Sequence, residues 1–150
     1  MPQTPPAGQT RIAPMLAYDD APAAIEFLQE AFGFELLNRL DMPDGSVGHA
    51  ELSYHGDVIM VATTWKAGGL SSPKDLPASH AQIHCYVDDV DAHHETARAA
   101  GATIAEEPSD QVHGARSYRA VDPEGHRWMF ATRVRDVSDE EIGEMVKGSS

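Results

Sequence analysis

"DPEGHRWMF", residues 122–130, sets a tight turn against an apolar strand. Pro123 and Gly125 supply the restricted and the permissive backbone that a turn needs, and the aromatic and aliphatic run behind them has strand character. Reading back from it, "ARSYRAV" (115–121) and "ATIAEE" (102–107) are two further strands. Before them "VDAHHETARAAG" (90–101) has helical spacing with Asp88 or Asp89 as cap, and "QIHCYVDD" (82–89) is a strand. The second half of the chain is therefore βαβββ.

The first half repeats that order. "RIAPMLAY" (11–18) suits a strand, and "DDAPAAIEFLQEAFG" (19–33) puts Ala21, Ala24, Ile25, Leu28, Ala31 and Phe32 on one helical stripe. Asp20 is placed to cap that helix and Gly33 to stop it. "FELLNRL", a turn at "PDG" (43–45), "VGHAELSY", a turn at "HGD" (55–57) and "VIMVATT" complete three strands in a meander. An offset of about 69 residues pairs Asp19 with Asp88, Gly56 with Gly125, Met60 with Met129 and Val61 with Phe130, as an internal duplication would. The expected organisation is a flexible arm (1–10), module one (11–64), a connector (65–80), module two (81–134), and a terminal helix and tail (135–150). Ser138 and Glu141 form a capping box for that last helix.

Composition removes several functions. A formal net charge of -13 with eleven Lys and Arg residues repels phosphate backbones, so nucleic acid is not an expected partner. Apolar runs such as "VIMVA" (58–62) are too short for a bilayer, and the Pro- and Gln-rich start lacks the order of a signal peptide, which makes the cytoplasm the expected location and excludes a membrane partner. The single cysteine, Cys85, has no intramolecular disulfide partner and is expected as a buried, inert thiol.

The paired βαβββ modules, "EAFGFEL" ending the first helix, "YVDDVDA" opening the second and "DPEGHRW" entering the last strand resemble the vicinal oxygen chelate superfamily of glyoxalase I, bleomycin-resistance proteins and extradiol dioxygenases. "VRDVSDEEI" is similar to the tail of a glyoxalase-like subgroup. The resemblance covers residues 11–134 and implies an α+β fold: a curved mixed sheet enclosing a half-barrel cleft, with the helices on the convex side. Strand alternation then sorts the residues. Ile59, Val61, Ile83, Cys85, Val87, Trp128 and Phe130 turn toward the helices. Ala13, Met15, His49, Glu51, Ser53, Val58, Met60, Ala62, Gln82, His84, Tyr86, Arg127, Met129 and Ala131 turn toward the cleft.

Metalloenzymes of the superfamily place a ligand on the first and last strand of each module, and those four positions fall here at Ala13, Met60, Gln82 and Met129. Alanine offers no donor, thioethers suit hard or borderline ions poorly, and a neutral amide is a weak ligand. Neither a metal nor a cofactor is therefore expected, and glyoxalase I or dioxygenase activity by the family mechanism is disfavoured. What remains is a ligand-binding set of Met15, His49, Glu51, Met60, Gln82, His84, Tyr86, Arg127 and Met129: adaptable thioether walls with a few placed polar groups. Arg127 would suit a carboxylate on the ligand. His49, Glu51 and His84 are the candidate acid–base residues. His93 and His94 read as a partly exposed helix face, and His126 as a brace of the turn. His113, Arg116 and Tyr118 are placed near the cleft mouth, and Trp65 either stacks on a ligand or anchors the connector.

The expected function is small-molecule binding, with a resistance or sequestration role, by a homodimer such as the superfamily commonly forms. The alternative is a lyase, isomerase or dioxygenase-type enzyme acting on a small carbonyl or aromatic substrate at a relocated site.

Overall fold

The computed structural model describes residues 2–148, and the chain divides into two compact units between Ala78 and Ser79. In the first, strand β1 (Met15–Tyr18) leads into helix α1 (Ala21–Phe32), followed by β2 (Glu35–Asp41), β3 (Val47–Tyr54) and β4 (Asp57–Thr63). The Asp20 carboxylate accepts from Ala23 N at 3.2 Å, satisfying one of the helix's orphan donors. Gly33, in the left-handed conformation at φ 83°, ends the helix and returns its N–H to Gln29 and Leu28 carbonyls.

The sheet runs β1-β4-β3-β2, with β1 parallel to β4 and the other pairs antiparallel. Because paired residues share a face, Leu16, Val61 and Ala50 lie on one side and Met15, Met60, Glu51 and Asn38 on the other. The apolar side packs against α1, where Ala21, Ala24, Ile25, Leu28, Ala31 and Phe32, the stripe expected from spacing, are all buried.

The second unit repeats the plan with β5 (Gln82–Tyr86), α2 (Val90–Ala99), β6 (Thr103–Asp110), β7 (Ala115–Val121) and β8 (Arg127–Arg133), in the order β5-β8-β7-β6. Asp89 caps α2 through Ala92 N at 3.1 Å. Strand β6 runs past the sequence boundary at Glu107 and through Pro108. It is an edge strand whose register shifts between Glu106 and Ser109, so the missing proline donor is not required by the ladder. Helix α3 (Asp139–Gly148) starts where the capping box places it, Ser138 Oγ accepting from Glu141 N at 3.1 Å.

The 122–130 stretch is held by one carboxylate. Asp122 is buried, and its Oδ1 accepts from Glu124 N at 3.2 Å and His126 N at 3.0 Å, while Oδ2 accepts from Trp128 Nε1 at 3.2 Å. Gly125, at φ 98°, takes the left-handed conformation of the turn. Turn and strand are thus locked together, and Trp128 and Phe130 stack 6.0 Å apart in the core.

Three sequence expectations change. The partly exposed face expected of His93 and His94 fails at His94, which is buried, while half-buried His93 turns inward, its Nδ1 2.6 Å from the Tyr118 hydroxyl and its ring on Phe130. Tyr118 pairs with Phe130 in register and is therefore in the helix-side core rather than near a cleft mouth. The three rings fill the space between α2 and its sheet, where α2 offers few aliphatic side chains of its own. Cys85 is half-buried rather than buried, because β5 is an edge strand.

Candidate functional site

In each unit the face turned away from the helix carries the chemistry. On the first sheet Met15, Met60, Glu51 and Asn38 lie side by side in one row, and Ala17, Ala62, His49 and Leu40 in the next. His49 Nε2 and Glu51 Oε1 are 2.9 Å apart, as i, i+2 spacing on one strand permits. Glu51 Oε2 also accepts from the Gln9 amide, so the segment before β1 lies across this face. The His49 hydrogen bond is the main cause of a Glu51 carboxyl pKa below its ordinary value, with Asn38 and Gln9 acting in the same direction.

On the second sheet the corresponding row is His84, Met129, Arg119 and Glu106, flanked by a row containing Gln82, Arg127 and Val121. His84 and Tyr86 meet edge to face with ring centroids 4.7 Å apart. Arg119 bridges strands in both directions: Nε pairs with Glu106 at 3.1 Å, and one terminal nitrogen donates to Gln82 Oε1 at 2.9 Å. Gln82, Glu106, Arg119 and Arg127, with Ala105, Ala120 and Trp128, line a groove of about 350 Å³.

Of the sequence-derived candidates, the fold gathers Met15, His49, Glu51 and Met60 on the first sheet, and Gln82, His84, Tyr86, Arg127 and Met129 on the second. Within these sets only Gln82 and Arg127 line the groove. Arg119 and Glu106 lie outside the residues the sequence points to. The duplication alone falls one residue short of both, since the offset of 69 carries Glu51 to Ala120 and Asn38 to Glu107, and the strand register is what identifies them. Met60 pairs with Glu51 across β3 and β4, so the partner of Met129 across β7 and β8 belongs to the same site.

Other candidates have structural roles. Arg116 pairs with Asp91 at 3.1 Å and Asp110 at 3.3 Å, tying β7 to α2 and to β6. His126 enters the turn through its backbone N–H. Trp65 lies over Gly68, where an added Cβ would come within 2.2 Å of the indole, so the ring folds back on its own connector.

The four positions that hold the superfamily's ions do not assemble a donor set. Ala13 precedes β1, Met60 and Met129 present thioethers, and the Gln82 amide oxygen accepts from Arg119, a fixed cation that is also the register partner of Met129. Among the described residues no three His, Cys, Asp or Glu side chains converge as an ion site requires. The residues therefore do not fit the family's metal.

Comparison with known proteins agrees with this architecture. An uncharacterized protein of Mycobacterium bovis is 38% identical over 134 residues, 87% of this chain and 88% of that protein. The crystal structure of TioX from Micromonospora sp. ML1 is 35% identical with a TM-score of 0.66, covering 81% of this chain and 97% of that one. FosX, a fosfomycin resistance protein from Listeria monocytogenes, shares the fold at 19% identity and a TM-score of 0.61, over 87% of this chain and 95% of its own. The profile of the glyoxalase/bleomycin resistance protein/dioxygenase superfamily matches residues 10–130, and the chain belongs to that superfamily.

Proposed function

We propose that the protein binds a small organic molecule in the groove on the second sheet, without an ion at the family positions, and serves a resistance or sequestration role as a cytoplasmic homodimer. The observation that carries the reading is the groove of about 350 Å³ on the second sheet, within the size range of small-molecule sites and bordered by convergent polar groups. Thioethers at positions 60 and 129 supply apolar contact where an ion enzyme needs charge. Among the described residues no helix is long and apolar enough to cross a membrane.

The test is a thermal-shift screen of small organic molecules on untagged protein, with elemental analysis of the same sample and sizing by light scattering. The expected result is sub-stoichiometric metal, a dimer mass, and stabilisation by a subset of compounds, about 2.7 kcal/mol at a hundredfold excess over Kd. Stoichiometric metal, or no stabilising compound, overturns the reading. The His49–Glu51 contact favours one second reading, proton transfer from a carbonyl substrate by an imidazole whose partner is a carboxylate. Turnover of a bound ligand that is lost in His49→Ala and Glu51→Ala, with binding retained, selects it.

A further inference from the structure

The groove on the second sheet has a polarity that can be read atom by atom. Arg119 has only N–H groups to offer, so the Gln82 atom 2.9 Å from it is the amide oxygen on chemical grounds alone. With that oxygen engaged, the Gln82 NH₂ is turned to the other side, and no acceptor reaches it among the described residues. The guanidinium of Arg127, the register partner of Gln82 on the adjacent parallel strand, has no hydrogen-bond or ion-pair partner among the described residues. The one carboxylate lining the groove, Glu106, is engaged by Arg119 at 3.1 Å. Opposite charges on Arg119 and Glu106 cancel, leaving Arg127 as the net charge of the lining. What is left to a ligand is a set of donors with one positive charge and no open carboxylate.

Resting on the small-molecule reading above, we infer that this groove selects a monoanionic carboxylate on the ligand. Arg127 grips the carboxylate and the Gln82 NH₂ donates to it, while Arg119 acts as a positioning residue that fixes the Gln82 amide. The planar fork of a guanidinium matches a carboxylate in two parallel hydrogen bonds, and the amide adds a third donor from the neighbouring strand. The selectivity is local, since a chain with net charge -13 does not attract anions at long range. Ala105 is exposed at the groove, and its small side chain leaves room for the body of the ligand.

Benzoate and its neutral isostere benzamide are the probes, followed on the full chain by ¹H–¹⁵N spectra that include the Gln82 side-chain NH₂. Benzoate is expected to bind at least about tenfold more tightly than benzamide, a difference of about 1.4 kcal/mol. Added salt should weaken benzoate alone. Arg127→Gln should erase the preference, and because the side chain is exposed the rest of the spectrum should be unchanged. Arg119→Gln should weaken benzoate and remove its effect on the Gln82 NH₂ signal, and Arg119→Lys, which retains a donor, should restore part of both. A merely structural role for Arg119 would not move that signal selectively. Equal binding of the two probes, an unchanged preference in Arg127→Gln, or no shift of the Gln82 signal by benzoate up to about 10 mM overturns the inference. Other compounds stabilising the protein in the thermal-shift screen would then leave the small-molecule reading standing, whereas an empty screen removes that reading itself.

Discussion

Removing the Asp122 carboxylate should unlock the turn that begins the last strand. Asp122 is 3% exposed and its carboxylate accepts at least three hydrogen bonds, two of them from donors in buried surroundings, Glu124 N and Trp128 Nε1. A buried donor left without an acceptor costs about 1–3 kcal/mol, so Asp122→Ala should destabilise by about 4 kcal/mol once both are counted. His126 N adds less, because it is only part-buried and water can reach it. Asparagine keeps one acceptor and loses the other, so Asp122→Asn should cost roughly half as much. At this chain length about 4 kcal/mol lowers Tm by about 8–16 °C. The assay is urea unfolding followed by fluorescence in a Trp65→Phe background. The chain has two tryptophans, and this leaves the buried Trp128 as reporter of its own unit. A double-mutant cycle with Trp128→Phe, followed by circular dichroism, isolates the indole bond and should return a coupling of about 1–3 kcal/mol. A loss below about 1 kcal/mol for Asp122→Ala, or equal losses for Ala and Asn, would refute the reasoning that acceptor number decides the effect.

Three further outcomes follow from single contacts. Gly125→Ala places a Cβ on a backbone at φ 98° and should cost about 1–3 kcal/mol by urea midpoint, whatever space surrounds it. Tyr118→Phe deletes the hydroxyl 2.6 Å from His93 Nδ1 and should cost about 1 kcal/mol, visible as a shifted His93 ring resonance and a lower midpoint. The Glu51 carboxyl is depressed below its reference value of 4.5, chiefly by His49. Its stabilising effect is therefore complete above that value and is lost as pH falls through the lowered one. Glu51→Gln should flatten the acid limb of stability below the reference value of 4.5, and an unchanged limb would assign it to other carboxylates.

How much of this was legible in the sequence depends on the length over which each signal acts. Strand and helix order, the α1 stripe and the caps at Asp20, Asp89 and Ser138 are local: each depends on residues a few positions apart, and the structure places them as the spacing indicates. The sorting of faces was legible for the same reason, because alternation has a period of two. Tyr118 and the adjacent histidines were misread because burial of a polar ring depends on a partner 25 residues away, His93 on α2 and Tyr118 on β7. Polar residues at i and i+1 on a helix look solvated until a hydroxyl across the gap satisfies them. Arg119 was missed by the same mechanism. It was one of several arginines in the sequence and acquires meaning only through Gln82, 37 residues earlier, and Glu106 on the neighbouring strand.

The duplication, followed into the register, says more about chemistry than either half alone. Across β1, β4, β3 and β2 the first sheet presents Met15, Met60, Glu51 and Asn38; across β5, β8, β7 and β6 the second presents His84, Met129, Arg119 and Glu106. The last-strand position is a thioether in both copies, so neither presents a good metal-binding donor there. The next position is a carboxylate in one copy and a guanidinium in the other, so the polar chemistry is not symmetrical. A carboxylate held by His49 and a guanidinium held by Glu106 solve the same problem, a charge on a sheet face that needs a partner, with opposite sign. A symmetrical ion site would have required the same donor class in both copies. Divergence to opposite charge instead gives each face its own electrostatic preference, a carboxylate on the first sheet and a guanidinium on the second.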